Sequence, residues 1–244
     1  MLKRTLKRSV PAALYRPVTS LWRRLSSPLG IQRSLKPLSK WFERGQPIDR
    51  FYIEEFLQQH RDDVRSRVLE AGDSSYTMRF GGNAVTQADV LNLLPGDPHT
   101  TILGDLSTGA GIPSSAFDCM VLTQVLQFIY DVRAAVANVY AALKPGGVLL
   151  ASVPGISQIS RYDMEQWGDY WRFTDASARL LFASAFGPEN VSVHTHGNVL
   201  TACAFLHGFA AHELQPEERA YCDPDYQLVI TVRAVKSPAG AAAK

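Results

Sequence analysis

The sequence predicts an α/β fold, a mostly parallel sheet covered by helices on both faces, and three observations carry this. From residue 49 onward, apolar runs of strand length alternate with amphipathic stretches of helical period. The run Phe117–Thr123 is apolar at most positions, as expected of a strand buried on both sides. The length, 244 residues, suits one such domain with an appendage.

Each element has its own local signal. A helix begins near Asp49, which can cap it, with Tyr52, Ile53, Phe56 and Leu57 as its apolar stripe. Strand 1 covers Arg67–Gly72, strand 2 Ala84–Asp89, strand 3 Thr101–Leu106 and strand 4 Phe117–Thr123. The next helix has Asp131 as its N-cap and Val132, Val136, Val139, Tyr140 and Leu143 on one face. Lys144 falls in its last turn, and Pro145-Gly146-Gly147 ends it. Strand 5 is Val148–Val153. Thr174 or Asp175 caps a helix that stops before Gly187-Pro188, and two strands come after it at Val191–His194 and Gln227–Val235. Between those two strands, Val199–Leu214 is apolar on most faces but too short and too interrupted to span a bilayer. It reads as a helix that is buried or forms a homo-oligomer interface.

The net charge of +2 conceals a split. Residues 1–44 carry 11 Lys/Arg and the single acid Glu43, while residues 45–244 carry 14 basic and 22 acidic residues. The chain therefore divides into a basic, proline-interrupted arm (1–44), a mildly acidic domain (45–236) and a tail (237–244) without structural signal. An arm of this charge seeks phosphates. Leu2, Leu6, Val10 and Leu14 recur at helical spacing, so peripheral contact with a membrane surface and a loosely packed, solvated arm both stay open. Nucleic acid is disfavoured, because no aromatic-plus-basic face accompanies the arm and the body is acidic. No secretory signal is evident, although the arm's Arg/Ser-rich composition also resembles an organellar transit peptide. Cys119, Cys203 and Cys222 are odd in number and lack metal-ligand spacing, so reduced thiols, no metal and a cytoplasmic location, with or without membrane contact, are expected.

Ligands of such a sheet gather at the carboxyl ends of its strands. Glu70, Gly72 and Asp73 lie at the end of strand 1, Asp89 at the end of strand 2 and Asp105 at the end of strand 3. A carboxylate after strand 2 can accept both hydroxyls of a ribose, and one after strand 3 can accept from an adenine amine. Each acid singly reads as a helix cap or a solvated loop residue. Together they suit a ligand bearing an ammonium and a sulfonium, and they disfavour a pyrophosphate, which needs a glycine cradle or a lysine.

Four further stretches carry a family resemblance. These are Phe117–Ile129, the run Leu143-Lys144-Pro145-Gly146-Gly147-Val148-Leu149-Leu150, and Gly104-Asp105-Leu106, with Gln46–Ile53 ahead of strand 1. From Arg67 to about Val235 the chain resembles a class I S-adenosylmethionine-dependent methyltransferase, of the bacterial kind found with glycosyltransferases. The resemblance implies a Rossmann-like seven-stranded sheet whose last strand is antiparallel. It implies S-adenosylmethionine as cofactor, with contacts at Glu70, Gly72, Asp73, Asp89, Asp105, Leu106 and Gln124. The pattern departs where Ser74 and Tyr76 replace glycines and where Phe128 stands for a common histidine. A residue other than glycine forced to positive φ costs about 1–2 kcal/mol, so this loop must take another path, with Asp73 or Ser74 capping the next helix.

Methyl transfer is an in-line displacement that needs alignment and exclusion of water, with a base only where the acceptor must lose a proton. The acceptor site is sought in residues 161–174, where Tyr162, Trp167, Tyr170, Trp171 and Arg172 suit a small or glycan-type acceptor and Asp163 and Asp169 are weak candidate bases. The plainer reading of those aromatics is a structural plug. His194 and His196 read as surface or interface residues. The leading expectation is O-methylation of such an acceptor. The runner-up is a methyltransferase fold that no longer turns over and serves as a binding or assembly module.

Overall fold

The computed structural model describes residues 34–40 and 42–238. The expectations for residues 1–33 and for the tail beyond Pro238 lie outside the described residues. Seven strands form one sheet: β1 Ser66–Ala71, β2 Val85–Asn92, β3 Ile102–Leu103, β4 Phe117–Thr123, β5 Leu143–Pro154, β6 Val191–His196 and β7 Val229–Val235. Their order is β3-β2-β1-β4-β5-β7-β6. β1 to β5 run parallel, and β7 is antiparallel to both β5 and β6.

The alternating strand residues build two cores. Leu69, Met120, Leu122, Leu149 and Ala151 face one side, under α2 (Val132–Ala142) and α4 (Asp175–Phe186). Val68, Cys119, Val121 and Leu150 face the other, under α1 (Ile48–Gln59) and α5 (Val199–His207). In α1, Ile53, Phe56 and Leu57 are at most 2% exposed. Burying each such side chain stabilises by about 1.5–3 kcal/mol, which fixes α1 across the sheet close to the strand ends.

The caps agree with the sequence in two helices. Asp131 accepts from the Ala134 N–H, and Thr174 forms a reciprocal capping box with Ser177. Several boundaries differ from expectation; β6 runs on to His196 and β7 starts only at Val229. Pro47 takes the N-cap position of α1, so Asp49 lies inside the first turn and caps nothing. β2 runs on to Asn92, because Val90 and Leu91 are buried and stay paired with β1. β3 stops after two residues, where the chain turns at Asp105. Lys144 belongs to β5, since Leu143 already pairs with Phe117, and its ammonium lies 2.7 Å from the Asp118 carboxylate.

The segment expected as one helix over Val199–Leu214 is broken. α5 ends at His207, and Gly208 takes the left-handed conformation (φ 81°) that glycine tolerates best. Ala210 then bridges to Pro47, and Ala211–Glu213 forms a single 3₁₀ turn. Two short helices complete the chain, α3 (Arg161–Gln166) and α6 (Pro216–Ala220). Among the described residues, no helix is long and apolar enough to cross a membrane.

Candidate active site

The loop after β1 shows how the chain manages without the two glycines. Gly72 keeps a positive φ of 93°, and its N–H bonds to the Leu91 carbonyl. Asp73 then accepts from the Ser75 N–H at 2.7 Å. Glu70, 3% exposed, turns back beneath the loop and accepts from the Tyr76 and Thr77 N–H groups at 3.3 and 2.7 Å. Those two bonds open the π-helical turn Thr77–Gly81, with Gly82 at positive φ behind it. Ser74 and Tyr76 therefore sit in a turn that Glu70 organises. Burial pushes the Glu70 carboxyl up to about 7, against the pull of its hydrogen bonds to Thr77.

The other strand-end acids are differently disposed. Asp89 is not at the end of β2: it pairs with Leu69, three residues short of Asn92. Its carboxylate is consumed by Arg67 Nε at 2.8 Å, the Gln87 amide and the Thr101 hydroxyl. The place at the mouth belongs to Asn92, whose amide donates to Thr100 Oγ1 at 2.7 Å and approaches the Gly72 carbonyl at 3.4 Å. Asp105 stands in the turn after β3. Burial raises its pKa, but the hydroxyl and N–H of Ser107 and the Thr108 hydroxyl outweigh that and hold the carboxyl below its usual range. Leu106 is core, 6% exposed. Gln124, at the end of β4, holds a positive φ of 56° and donates its N–H to the Ser152 carbonyl.

A cavity of about 360 Å³ opens beyond the ends of β4 and β5. Gln124, Gln127, Phe128 and Pro154 form its floor, and Asp49 and Arg50 of α1 close one side. Ser157, Gln158, Ser160, Tyr162 and Asp163 close the other, with Asp169 and Arg172 behind them. Five buried side-chain atoms lack a hydrogen-bond partner among the described residues, and two of them, Asp49 Oδ1 and Gln127 Oε1, belong to residues that line this cavity. Buried polar atoms of this kind are rare and point to a missing donor. Burial pushes the Asp49 carboxyl up, with Arg50 pulling against it.

The structure separates the residues expected to touch an acceptor. Tyr162, Asp163, Asp169 and Arg172 line the cavity, and Trp167, Tyr170 and Trp171 do not. Arg172 spends its donors within the wall, bidentate to Asp169 (2.6 and 2.9 Å) and bonded to the carbonyls of Ser157, Gln158 and Trp171. That guanidinium holds the Asp169 carboxyl below its usual range, although burial pushes the other way, so Asp169 is a poor base. Asp163 makes no side-chain hydrogen bond or ion pair among the described residues, which leaves its carboxylate available to the cavity. Trp171 donates to the Ile129 and Tyr130 carbonyls and, with Tyr170, packs on Tyr130, so these aromatics plug the wall from outside. His196 is half-buried, stacked on Tyr52 and 2.9 Å from the Thr231 hydroxyl, with burial lowering its pKa to about 4. Among the described residues, no cluster of side chains could hold a metal ion.

Sequence reasoning misses Asp49 and Arg50 as cavity residues, together with Gln127. In sequence, Asp49 has the signature of a cap. The available signal is a charged pair placed inside the first turn of a helix whose other face is wholly apolar.

A seven-stranded sheet of this order, with one antiparallel strand and a polar mouth at the ends of β1, β2 and β4, is the frame of class I methyltransferases. The methyltransferase-domain family matches residues 35–216, and the chain belongs to that family. It is a methyltransferase that uses S-adenosylmethionine. Among known proteins, it is 28% identical over 199 residues to a malonyl-[acyl-carrier protein] O-methyltransferase of Serratia marcescens, covering 78% of this chain and 70% of that one. Two solved structures share the fold. One is an N-methyltransferase of Bradyrhizobium japonicum in complex with S-adenosylhomocysteine (14% identity, TM-score 0.50, 89% and 97% coverage). The other is an S-adenosylmethionine-dependent methyltransferase of Archaeoglobus fulgidus (11% identity, TM-score 0.51, 79% and 96% coverage).

Proposed function

We propose that the protein methylates an oxygen of a small or carbohydrate-type acceptor held in the 360 Å³ cavity. The observation that carries this is the polar lining at the ends of β4 and β5, where Asp163 is unengaged and two buried oxygens lack partners. The relative named as an O-methyltransferase supports oxygen as the atom modified.

The bound cofactor supplies an electrophilic methyl group on a sulfonium. Asp49 Oδ1, buried and unpartnered, suits its ammonium, and the Arg50 guanidinium beside it suits its carboxylate. Asn92 takes the ribose position that Asp89 leaves, with Gly72 and Asp73 beside it at the end of β1, and Gln124 lines the cavity. Asp105 and Leu106 flank the adenine side. Asp163 takes the proton released by the acceptor hydroxyl, while Tyr162 and Phe128 exclude water from the reacting atoms.

Calorimetric titration of the purified protein with S-adenosylhomocysteine tests the seat. Micromolar affinity is expected, with a loss of about 10- to 100-fold in Asp49→Asn, the scale of one charge-assisted bond. An Asp49→Asn variant that binds like the wild type would overturn the assignment of Asp49.

A further inference from the structure

Next to the first cavity lies a second, of about 590 Å³. The two share Asp49, Arg50, Gln158, Ser160, Tyr162 and Phe205, so they form one hollow with an inner and an outer chamber. The chambers differ in chemistry. The inner one alone presents Gln124, Gln127 and Asp163, whose amide and carboxylate oxygens an alkyl chain would leave unsatisfied, at a cost of roughly 1–3 kcal/mol each. The outer one is walled by Phe42, Ile159, Leu206 and Phe209.

Phe42, Ile159 and Leu206 are 61%, 49% and 43% exposed. Single exposed apolar residues are ordinary, but several around one opening mark a binding surface. The segment that carries Phe42 is fastened to α5 rather than loose beside it. The Leu38 N–H donates to the His207 carbonyl at 2.8 Å, and the Ser39 hydroxyl donates to the Gly208 carbonyl. The outer wall also carries Lys40 and Arg161, both exposed and in no ion pair among the described residues. Its other charges are Arg50 and Asp49 at the junction, so the rim is basic.

We propose that the acceptor bears an apolar chain that lies in the outer chamber, with an anionic oxyacid group at Lys40 and Arg161 and the methylated oxygen in the inner chamber beside Asp163. The inference rests on the reading of the inner chamber as the acceptor site. Continuity of the hollow sets the path, the apolar wall selects the chain, and the basic rim selects the sign of the charge.

The test is calorimetry on the full chain saturated with S-adenosylhomocysteine, with butyl, hexyl and octyl phosphate as probes. Affinity should rise roughly threefold to fourfold per added methylene, the scale of a buried CH₂. Leu206→Ser with Ile159→Ser, both at exposed positions that spare the core, should flatten that rise. Lys40→Gln with Arg161→Gln should weaken every phosphate several-fold and leave the rise intact. A flat series in the wild type, or an unchanged slope in the Leu206/Ile159 variant, overturns the chain. Octyl glucoside binding as tightly as octyl phosphate overturns the anionic group. The readout is binding rather than turnover, so a flat series leaves the inner chamber's reading standing. That reading fails separately, if Asp163→Asn leaves cofactor-dependent methyl transfer unaffected.

Discussion

The Glu70 carboxylate accepts the Thr77 N–H at 2.7 Å and ties the end of β1 to the turn that replaces a glycine loop. A buried acid in this position raises its own pKa while it organises the backbone around it.

That balance has a pH signature. The Glu70 carboxyl is raised from 4.5 to about 7, and His196 is lowered from 6.5 to about 4. Between pH 4.5 and 6.5 the folded state holds more protons at Glu70 and fewer at His196 than the unfolded chain. Glu70 therefore makes stability fall as pH rises, and His196 makes it rise, each by up to about 1.4 kcal/mol per pH unit. Urea unfolding of the cofactor-free protein should show the two slopes largely cancelling. Glu70→Gln should tilt the profile toward higher stability at about pH 6.5, and His196→Gln toward higher stability at about pH 4.5. Parallel profiles for both variants and the wild type would refute this.

The Arg67–Asp89 pair predicts a separation of stability from binding. The Asp89 side chain is 7% exposed, and its removal strands Arg67 over the Phe117 ring. Asp89→Ala should cost about 1–3 kcal/mol in denaturant unfolding, below the range for a fully buried pair because Arg67 is partly solvated. Affinity for S-adenosylhomocysteine should change less than about threefold below the melting transition. A large loss of affinity without loss of stability would return Asp89 to the ribose.

The wall of the inner chamber should depend on one guanidinium. Arg172 joins Asp169, Ser157, Gln158 and Trp171. Arg172→Lys keeps the charge and loses the planar fork, so protease cleavage within 157–170 should accelerate about tenfold while the melting temperature moves little. Unchanged cleavage would show that the wall is held by other contacts.

The arm makes a prediction that the charge count alone supports. Lys3, Arg4, Lys7 and Arg8 belong to the cluster of 11 basic residues in positions 1–44. Their joint replacement by Gln should weaken sedimentation with phosphatidylserine vesicles, at roughly 1 kcal/mol per charge near the surface, and leave binding to neutral vesicles unchanged. Equal binding of wild type and variant to the anionic vesicles would remove the membrane contact.

Much of the fold is legible because strand apolarity and helix caps are local signals. Phe117–Thr123 matches its expected span to the residue, Asp131 caps as the sequence predicts, and of the two candidates Thr174 and Asp175 it is Thr174 that caps. The antiparallel β7 comes through resemblance rather than through the residues themselves. The site is less legible, since its outcome depends on tertiary placement. Asp89 resembles a strand end because Val90 and Leu91 could equally begin a loop, and only pairing with β1 carries β2 on to Asn92. The five aromatics of 161–174 look alike in sequence, yet Tyr162 alone among them reaches the cavity, because Tyr170 and Trp171 turn out onto Tyr130. Asp49 and Arg50 lie far along the chain from Gln124, and the local hint, a charged pair in the first turn of α1, does not say that the helix brings them to the end of β4.

The two ends of the sheet set limits on self-assembly. β3 exposes only two residues of backbone at one border, too short a template for another strand to extend. β6, at the other border, has six residues, with Ser192 and His194 as its exposed side chains. Strand-against-strand pairing between copies is thus disfavoured at the β3 border, while β6 keeps an edge of ordinary length. The outward side of α5 adds a second, helical surface there, where Val199 is 50% exposed.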